Sequence, residues 1–335
     1  MSKSLTTARG LAGLVAATTA ALMLGTAAVS AQQYPTKAVR ILVPYAPGGA
    51  TDIVARIVGE EMRKALGQTF VVESKVGGNG IVALEEMMRN RDGYTLMVGN
   101  VTTNTITPVV DAKKLSFDFA KDVVAIQRLA DVPAVFVITT TNFAPKTLKE
   151  VVEFAKKNPG KVRYGTVGAG SYPHYDMAYF AKLAGNLDLN AIHNKAGAAG
   201  VINDLVTGDS QTAFLNAAST IAMVKAGKMK AVGVVSPSRL SMYPDVPTMA
   251  EAGYPEAGTL AWQALFAPAA TPKPVLEALF KASTAALNSP EAKDRFSKQN
   301  FIVVPNASLE ASAKWLAADM ARWKKITSEV KIEKD

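Results

Sequence analysis

The chain predicts an α/β protein on parallel sheets, with its chemistry on loops at the ends of strands. Three observations carry that expectation. Residues 39–56 read V-R-I-L-V-P-Y-A-P-G-G-A-T-D-I-V-A-R. This is an apolar, β-branched run, a Pro/Gly break, then Ile53, Val54, Ile57 and Val58 on one helical face. The same strand, turn, helix rhythm recurs to residue 235. Finally, 335 residues with 49% hydrophobic and 19% charged side chains suffice for two cored domains and exclude a disordered chain.

The opening unit aims backbone N–H groups and the positive end of a helix at the 44–52 turn, an arrangement that suits an anion such as a carboxylate. Thr51 reads as an N-cap and Asp52 as a first-turn acid. Asp52 brings a tension, because it repels a bound carboxylate unless it turns away or receives a donor. A second strand is expected at 70–73, followed by the glycine turn Val76-Gly77-Gly78-Asn79-Gly80 and a helix at 81–88. The Asp92-Gly93 turn leads to a strand at 94–98 and a polar loop at 100–107. Strands follow at 123–129 and 133–139, with a crossing into a second domain near 131–133. That domain is expected to carry helices at 148–157, 175–183, 201–206 and 221–226. Its strands are expected at 162–164, 189–192, 212–215 and 229–235, with loops at 165–174 and 194–200. Proline and glycine at 244–247 and 253–255 mark an irregular connection. A return strand at 260–266 and helices at 275–287 and 309–328 complete the first domain. The expected division is therefore 32–132 with 257–335, and 133–256. Trp262 and Trp323 read as core anchors.

Residues 1–31 read as a secretory signal. Lys3 and Arg9 form the charged start, 11–24 the apolar middle, and Val29-Ser30-Ala31 the cleavage site. An uncleaved anchor is disfavoured because Thr18, Thr19, Gly25, Thr26 and Ser30 dilute the apolar stretch below the length of a span. With no cysteine, the exported chain needs no disulfide and offers no N-terminal lipid attachment. The expected location is the periplasm, with cleavage after Ala31. Net charge is +9, and without residues 1–31 it is +7, from 35 basic and 28 acidic side chains. The basic residues are spread, which argues against a nucleic-acid stripe and allows a mild pull on anionic solutes.

Reactive motifs are scarce. The sequence has two histidines, His174 and His193, and no H-E-x-x-H, so no metal and no cofactor are expected. Residues 168–172 are not G-x-S-x-G, and 165–170 reverse the dinucleotide fingerprint. No P-loop motif occurs. Catalysis is disfavoured, although carboxylate-based chemistry stays open. His174 taken alone reads as a hydrogen-bonded packing residue.

Across the chain beyond residue 31, an ordered series of segments resembles a known family. It runs Tyr34-Pro35, Val43-Pro44-Tyr45-Ala46-Pro47-Gly48-Gly49 with Thr51-Asp52, and Asp92-Gly93-Tyr94-Thr95-Leu96. It continues through Tyr164-Gly165 with Gly168, Gly170 and His174, then Asp245-Val246-Pro247-Thr248, Ala267-Pro268 and Thr271-Pro272-Lys273-Pro274. The series is similar to the Bug-type, or TctC-like, substrate-binding proteins of tripartite tricarboxylate transporters. The resemblance implies a type II periplasmic-binding-protein-like fold, two α/β domains joined by two crossover strands around a ligand cleft. It implies a monomer that captures a small carboxylate (organic acid, diacid or acidic amino acid) and delivers it to membrane transporter subunits, without catalysis. A ligand sensor for a signalling partner, or a secreted enzyme acting on small acids, are the alternatives. The implied ligand-binding residues are Ala46, Pro47, Gly48, Gly49, Thr51 and Asp52, with Val101, Thr102, Thr103 and Asn104. From the second domain come Gly168, Ala169, Gly170, Ser171 and His174, then Lys195, Ala196, Gly197 and Asn216. Family members often carry histidine at the Asn104 position, P-Y-K-G at 194–197 and an acid at the Leu215 position. Losing that acid and gaining Lys195 favours an anionic distal group.

Overall fold

The computed structural model describes residues 34–194 and 196–332. The signal segment expected at 1–31 and Lys195 lie outside the described residues. The architecture below is that of the described residues within the unit Lys37–Asp335.

Eleven strands form two sheets among the described residues. They are β1 (Val39–Val43), β2 (Phe70–Ser74), β3 (Thr95–Asn100), β4 (Val123–Val132), β5 (Ala134–Thr139), β6 (Val162–Thr166), β7 (Leu189–His193), β8 (Thr212–Asn216), β9 (Met229–Val235), β10 (Ala261–Pro268) and β11 (Ile302–Val303). The α-helices are α1 (Ala50–Leu66), α2 (Ile81–Met88), α3 (Thr107–Val110), α4 (Phe119–Asp122), α5 (Leu148–Lys157), α6 (Tyr172–Leu183), α7 (Ala198–Thr207), α8 (Ala217–Lys225), α9 (Lys273–Asn288), α10 (Pro290–Lys298) and α11 (Leu309–Glu329). One sheet has the order β11-β4-β10-β3-β1-β2 and the other β7-β6-β8-β5-β9.

Both sheets are mixed rather than parallel, which corrects the expectation from alternation. Strand β10 runs antiparallel to β3 and β4, and β5 antiparallel to β8 and β9. The reason lies in the path. Strands β4 and β5 belong to different sheets and are separated only by Pro133. Strand β10 likewise follows a visit to the other sheet. Each of these two arriving strands enters at the C-terminal edge of its new sheet and runs back through it. The registers say the same: Ala134 pairs with Asn216, the last residue of β8, and Gln263 pairs with Asn100, the last residue of β3.

Periodicity explains the packing. In β5, Ala134, Phe136 and Ile138 join one core cluster while Val135 and Val137 join another on the opposite face. Phe136 anchors the first cluster, with edge-on rings of Phe180 at 5.1 Å and Phe214 at 4.9 Å. Helix α1 buries Val54, Ile57, Val58 and Met62, and ends where Gly67 takes a φ of 71° and returns its N–H to Arg63. Trp323 and Trp262 are buried, as core anchors should be. No helix among the described residues is long and apolar enough to cross a membrane.

Two local expectations fail. The 100–107 stretch is a π-helical turn over Thr102–Ile106 running directly into α3. Its start is stabilised from outside the turn, because Asn100 Oδ1 accepts the N–H groups of Thr102 (3.0 Å) and Thr103 (3.4 Å). Helix α6 starts at Tyr172, so His174 sits in its first turn rather than in a loop. The short α3, α4 and β11 carry too few residues to show apolar periodicity, and α10 places only Ala292 and Phe296 on its buried face.

Candidate functional site

Because β5 and β10 each enter at a C-terminal edge, the C-terminal edges of the two sheets face one another. The loops after β1, β3, β6, β7 and β8 all emerge there, as ligand-binding loops do on open α/β sheets.

On the six-stranded side, Ala46, Pro47, Gly48 and Gly49 are exposed at the head of α1. Gly49 is the N-cap of α1, and no side chain caps it. Thr51 is therefore not the cap: it is buried and donates its hydroxyl to Gln263 Oε1 at 2.8 Å. The tension at Asp52 is resolved within the helix. Its Oδ2 accepts the Gly48 N–H and Arg56 Nε, each at 3.0 Å, and Arg56 Nη2 lies 2.9 Å from Oδ1. Burial opposes ionisation, but the guanidinium and the Gly48 N–H outweigh it and hold the carboxyl below its usual range. The acid in the loop is thus neutralised before any ligand arrives, and the loop itself presents backbone.

Beneath it, Tyr45 donates its hydroxyl to Asn100 Oδ1 at 2.7 Å and lies 2.8 Å from Thr103 Oγ1. Burial pushes that phenol up to about 12. The Thr102–Ile106 turn is fixed from behind by Asp319 of α11, whose Oδ2 accepts Thr105 Oγ1 and Trp262 Nε1, each at 3.0 Å. Burial raises the Asp319 carboxyl, against those two donors. Asn104 is fully buried over Gly99, where an added Cβ would lie 1.7 Å from its Oδ1. Its amide atoms have no hydrogen-bond partner among the described residues. Val101 is likewise fully buried. These two predicted contacts belong to the interior of the turn.

On the five-stranded side, Ser171 is the N-cap of α6, yet its hydroxyl donates to Gly168 O at 2.7 Å and does not cap the helix. Asn216 is the N-cap of α8, and its Oδ1 instead accepts the Tyr172 hydroxyl at 2.9 Å. Gly197 begins α7 without a side-chain cap. Asn194 Oδ1 accepts the Ala196 N–H at 2.9 Å while its Nδ2 donates to Asp204. The edges touch directly: the Tyr172 N–H donates to Thr102 Oγ1 at 3.2 Å, in buried surroundings. His174 is placed differently. Its Nδ1 accepts the Gly170 N–H at 3.3 Å, and its ring lies 4.6 Å from that of His193. It lines a cavity of about 730 Å³ walled by α6, β7 and the end of α11, with Tyr164, Lys182, His193 and Glu329 among its residues.

The structure thus gathers residues 46–49, 168–171, 196–197 and Asn216 at the facing edges, with Thr102 buried at the contact with Tyr172 and Thr103 fully buried beneath it. It also reveals supports the sequence reading missed: Tyr45, Arg56, Asn100, Tyr172, Gln263 and Asp319. Arg56 was legible as the i+4 partner of Asp52 on a helix. The others join segments far apart in sequence, which spacing alone does not signal. Among the described residues no group of three or more His, Cys, Asp or Glu side chains could hold a metal.

Comparison with known proteins gives the same direction. Residues 54–332 match the profile described as "Tripartite tricarboxylate transporter family receptor", TctC. The periplasmic binding protein BugD is 30% identical, with a TM-score of 0.78 over 90% of this chain and 100% of its own. MatC from Rhodopseudomonas palustris, solved with bound malate, is 28% identical, with a TM-score of 0.77 over 88% of this chain and 99% of its own. Rpa4515 from R. palustris, solved with adipate, is 25% identical, with a TM-score of 0.79 over 88% of this chain and 97% of its own.

Proposed function

Because the chain belongs to the TctC family of tripartite tricarboxylate transporter receptors, we propose that it is a periplasmic binding protein for a small dicarboxylate. In this reading the domains 32–132 with 257–335, and 133–256, close over the acid, and the closed monomer delivers it to membrane transporter subunits. No chemical change of the ligand is involved.

The observation that carries the reading is the set of helix starts at the facing edges. Helices α1, α7 and α8 begin there without a side-chain cap, whereas the first N–H of α6, from Tyr172, is taken by Thr102 Oγ1 and Pro173 follows it with no N–H. Helix starts of this kind offer N–H groups and positive dipole ends to an anion. One carboxylate would take the backbone N–H groups of residues 49–51 at the head of α1, since the Gly48 N–H is held by Asp52 and those of Thr102 and Thr103 by Asn100. The second would face the 168–171, 194–197 and 216 segments, with Lys195 supplying positive charge. Malate in MatC and adipate in Rpa4515 support a dicarboxylate. Amino acids fit less well, because the loop's own acid, Asp52, is already committed to Arg56.

A thermal-shift screen of organic acids tests this. A dicarboxylate at 100 times its dissociation constant should stabilise the protein by about 2.7 kcal/mol. No shift with any organic acid at millimolar concentration would end the proposal. Lys195→Ala should weaken dicarboxylates more than monocarboxylates, and equal affinity for every acid would remove Lys195 from the site.

A further inference from the structure

The second glycine turn, residues 76–80, has no part in the site described so far. Its backbone is unusual: Gly77, Gly78, Asn79 and Gly80 have φ values of 145°, 55°, 51° and 95°. Asparagine is one of the few residues with a side chain that tolerates such a conformation. The turn is pressed against the neighbouring ligand turn, since a Cβ on Gly80 would lie 2.3 Å from Thr103 side-chain atoms. Thr107 Oγ1 donates to Asn79 O at 3.1 Å, a second tie to the same segment. From this anchored base, Asn79 Nδ2 reaches across to the other sheet and donates to Ala169 O at 3.2 Å. That bond runs beside the buried one from the Tyr172 N–H to Thr102 Oγ1. One cross-edge bond is at the rim and the other inside.

We propose that the Gly77–Gly80 turn is a further wall of the ligand site, in which Asn79 positions the 168–171 loop over the bound acid and slows its escape. The proposal rests on the cleft reading above. Asn79 touches no ligand in this account: it acts through the Ala169 carbonyl. Anchoring by Thr103 and Thr107 matters, because a latch on a loose loop would retain nothing.

Two variants test it in the full chain. Asn79→Gly removes the amide without straining the positive φ, and Asn79→Asp puts a carboxylate against the Ala169 carbonyl. Hydrogen exchange is measured first on the protein without added acid. The Tyr172 amide should exchange roughly fivefold faster in Asn79→Gly, the scale of one lost hydrogen bond, while amides of β5 and β8 are unmoved. In Asn79→Asp the acceleration should be larger at pH 7 and should shrink below about pH 4, where the protonated acid can donate. Stopped-flow with malate and adipate should then show faster dissociation and little change in association. Unchanged Tyr172 exchange in both variants, or a uniform rise across the fold, would overturn the assignment. If the wild type binds neither acid, that result counts against the dicarboxylate reading, and the exchange arm still decides the latch.

Discussion

The helices that start at the facing sheet edges can be set against those that start elsewhere. Helices α5, α10 and α11 begin at Thr147, Ser289 and Ser308, whose side chains accept N–H groups of Glu150, Ala292 and Ala311. Helices α6 and α8 begin with equally good capping types, Ser171 and Asn216, but those side chains are engaged by Gly168 O and the Tyr172 hydroxyl. Helices α1 and α7 begin at glycines, which have no side chain to offer. An uncapped start is not confined to the site, since α9 begins at Pro272 without one. What distinguishes the site is that two of its helices, α6 and α8, have capping residues that are diverted, and the other two begin at glycine. A cap typically contributes about 1 kcal/mol, so the diversion of Asn216 forgoes stability and leaves first-turn N–H groups of α8 for an incoming anion.

Supplying the missing cap should break this contrast most strongly. Gly49→Asp has room, its nearest neighbour to a new Cβ being Ala46 O at 3.8 Å, and it would place a carboxylate at the head of α1. Dicarboxylate affinity measured by calorimetry should fall at least about 100-fold, because like charges brought together cost several kcal/mol. The melting temperature should stay level or rise.

The carboxyls give the next largest effect. Asp52 is held low, so its stabilising contribution is present above the ordinary carboxylate range and is lost as pH falls through its lowered value. Asp176 behaves oppositely. Burial pushes it up to about 7, although Thr259 N–H and Oγ1 donate to it at 3.0 and 2.6 Å and Arg322 also favours the charged form. Its contribution is complete below the unfolded pKa, about 4, and is lost as pH rises through about 7. Stability from chemical denaturation should therefore fall by up to a few kcal/mol between pH 5 and 8. Asp176→Asn should flatten that slope.

Smaller effects sharpen the comparison from the other side. Ser308→Ala should cost about 1 kcal/mol of stability and leave the dissociation constant for any bound acid unchanged. Tyr172→Phe should do the reverse. It frees Asn216 to turn toward α8, so denaturation midpoints should move little while affinity drops about tenfold, roughly 1.4 kcal/mol.

Much of this was written locally. The apolar run of β1, the Gly48–Gly49 break and the face of α1 are all readable within 20 or so residues, and so is the Asp52–Arg56 spacing. The mixed sheets were not, because the direction of β5 and β10 depends on which sheet the chain has just left. The turn at Thr102–Ile106 read as a loop because Asn100, outside the helix, supplies its first acceptor. Asn104 read as a contact because a polar residue in a polar stretch gives no sign of being folded beneath its own turn against Gly99. Asn79 was legible as part of a glycine turn but not as a donor across the edges, since its partner Ala169 lies 90 residues away.

The most direct test follows backbone ¹⁵N–¹H resonances during titration with malate or adipate. The account predicts saturable shifts at Gly48, Gly49, Ala50 and Thr51 and at the starts of α7 and α8, with those of α5, α10 and α11 unmoved. Saturable binding that leaves residues 48–51 unshifted would contradict it.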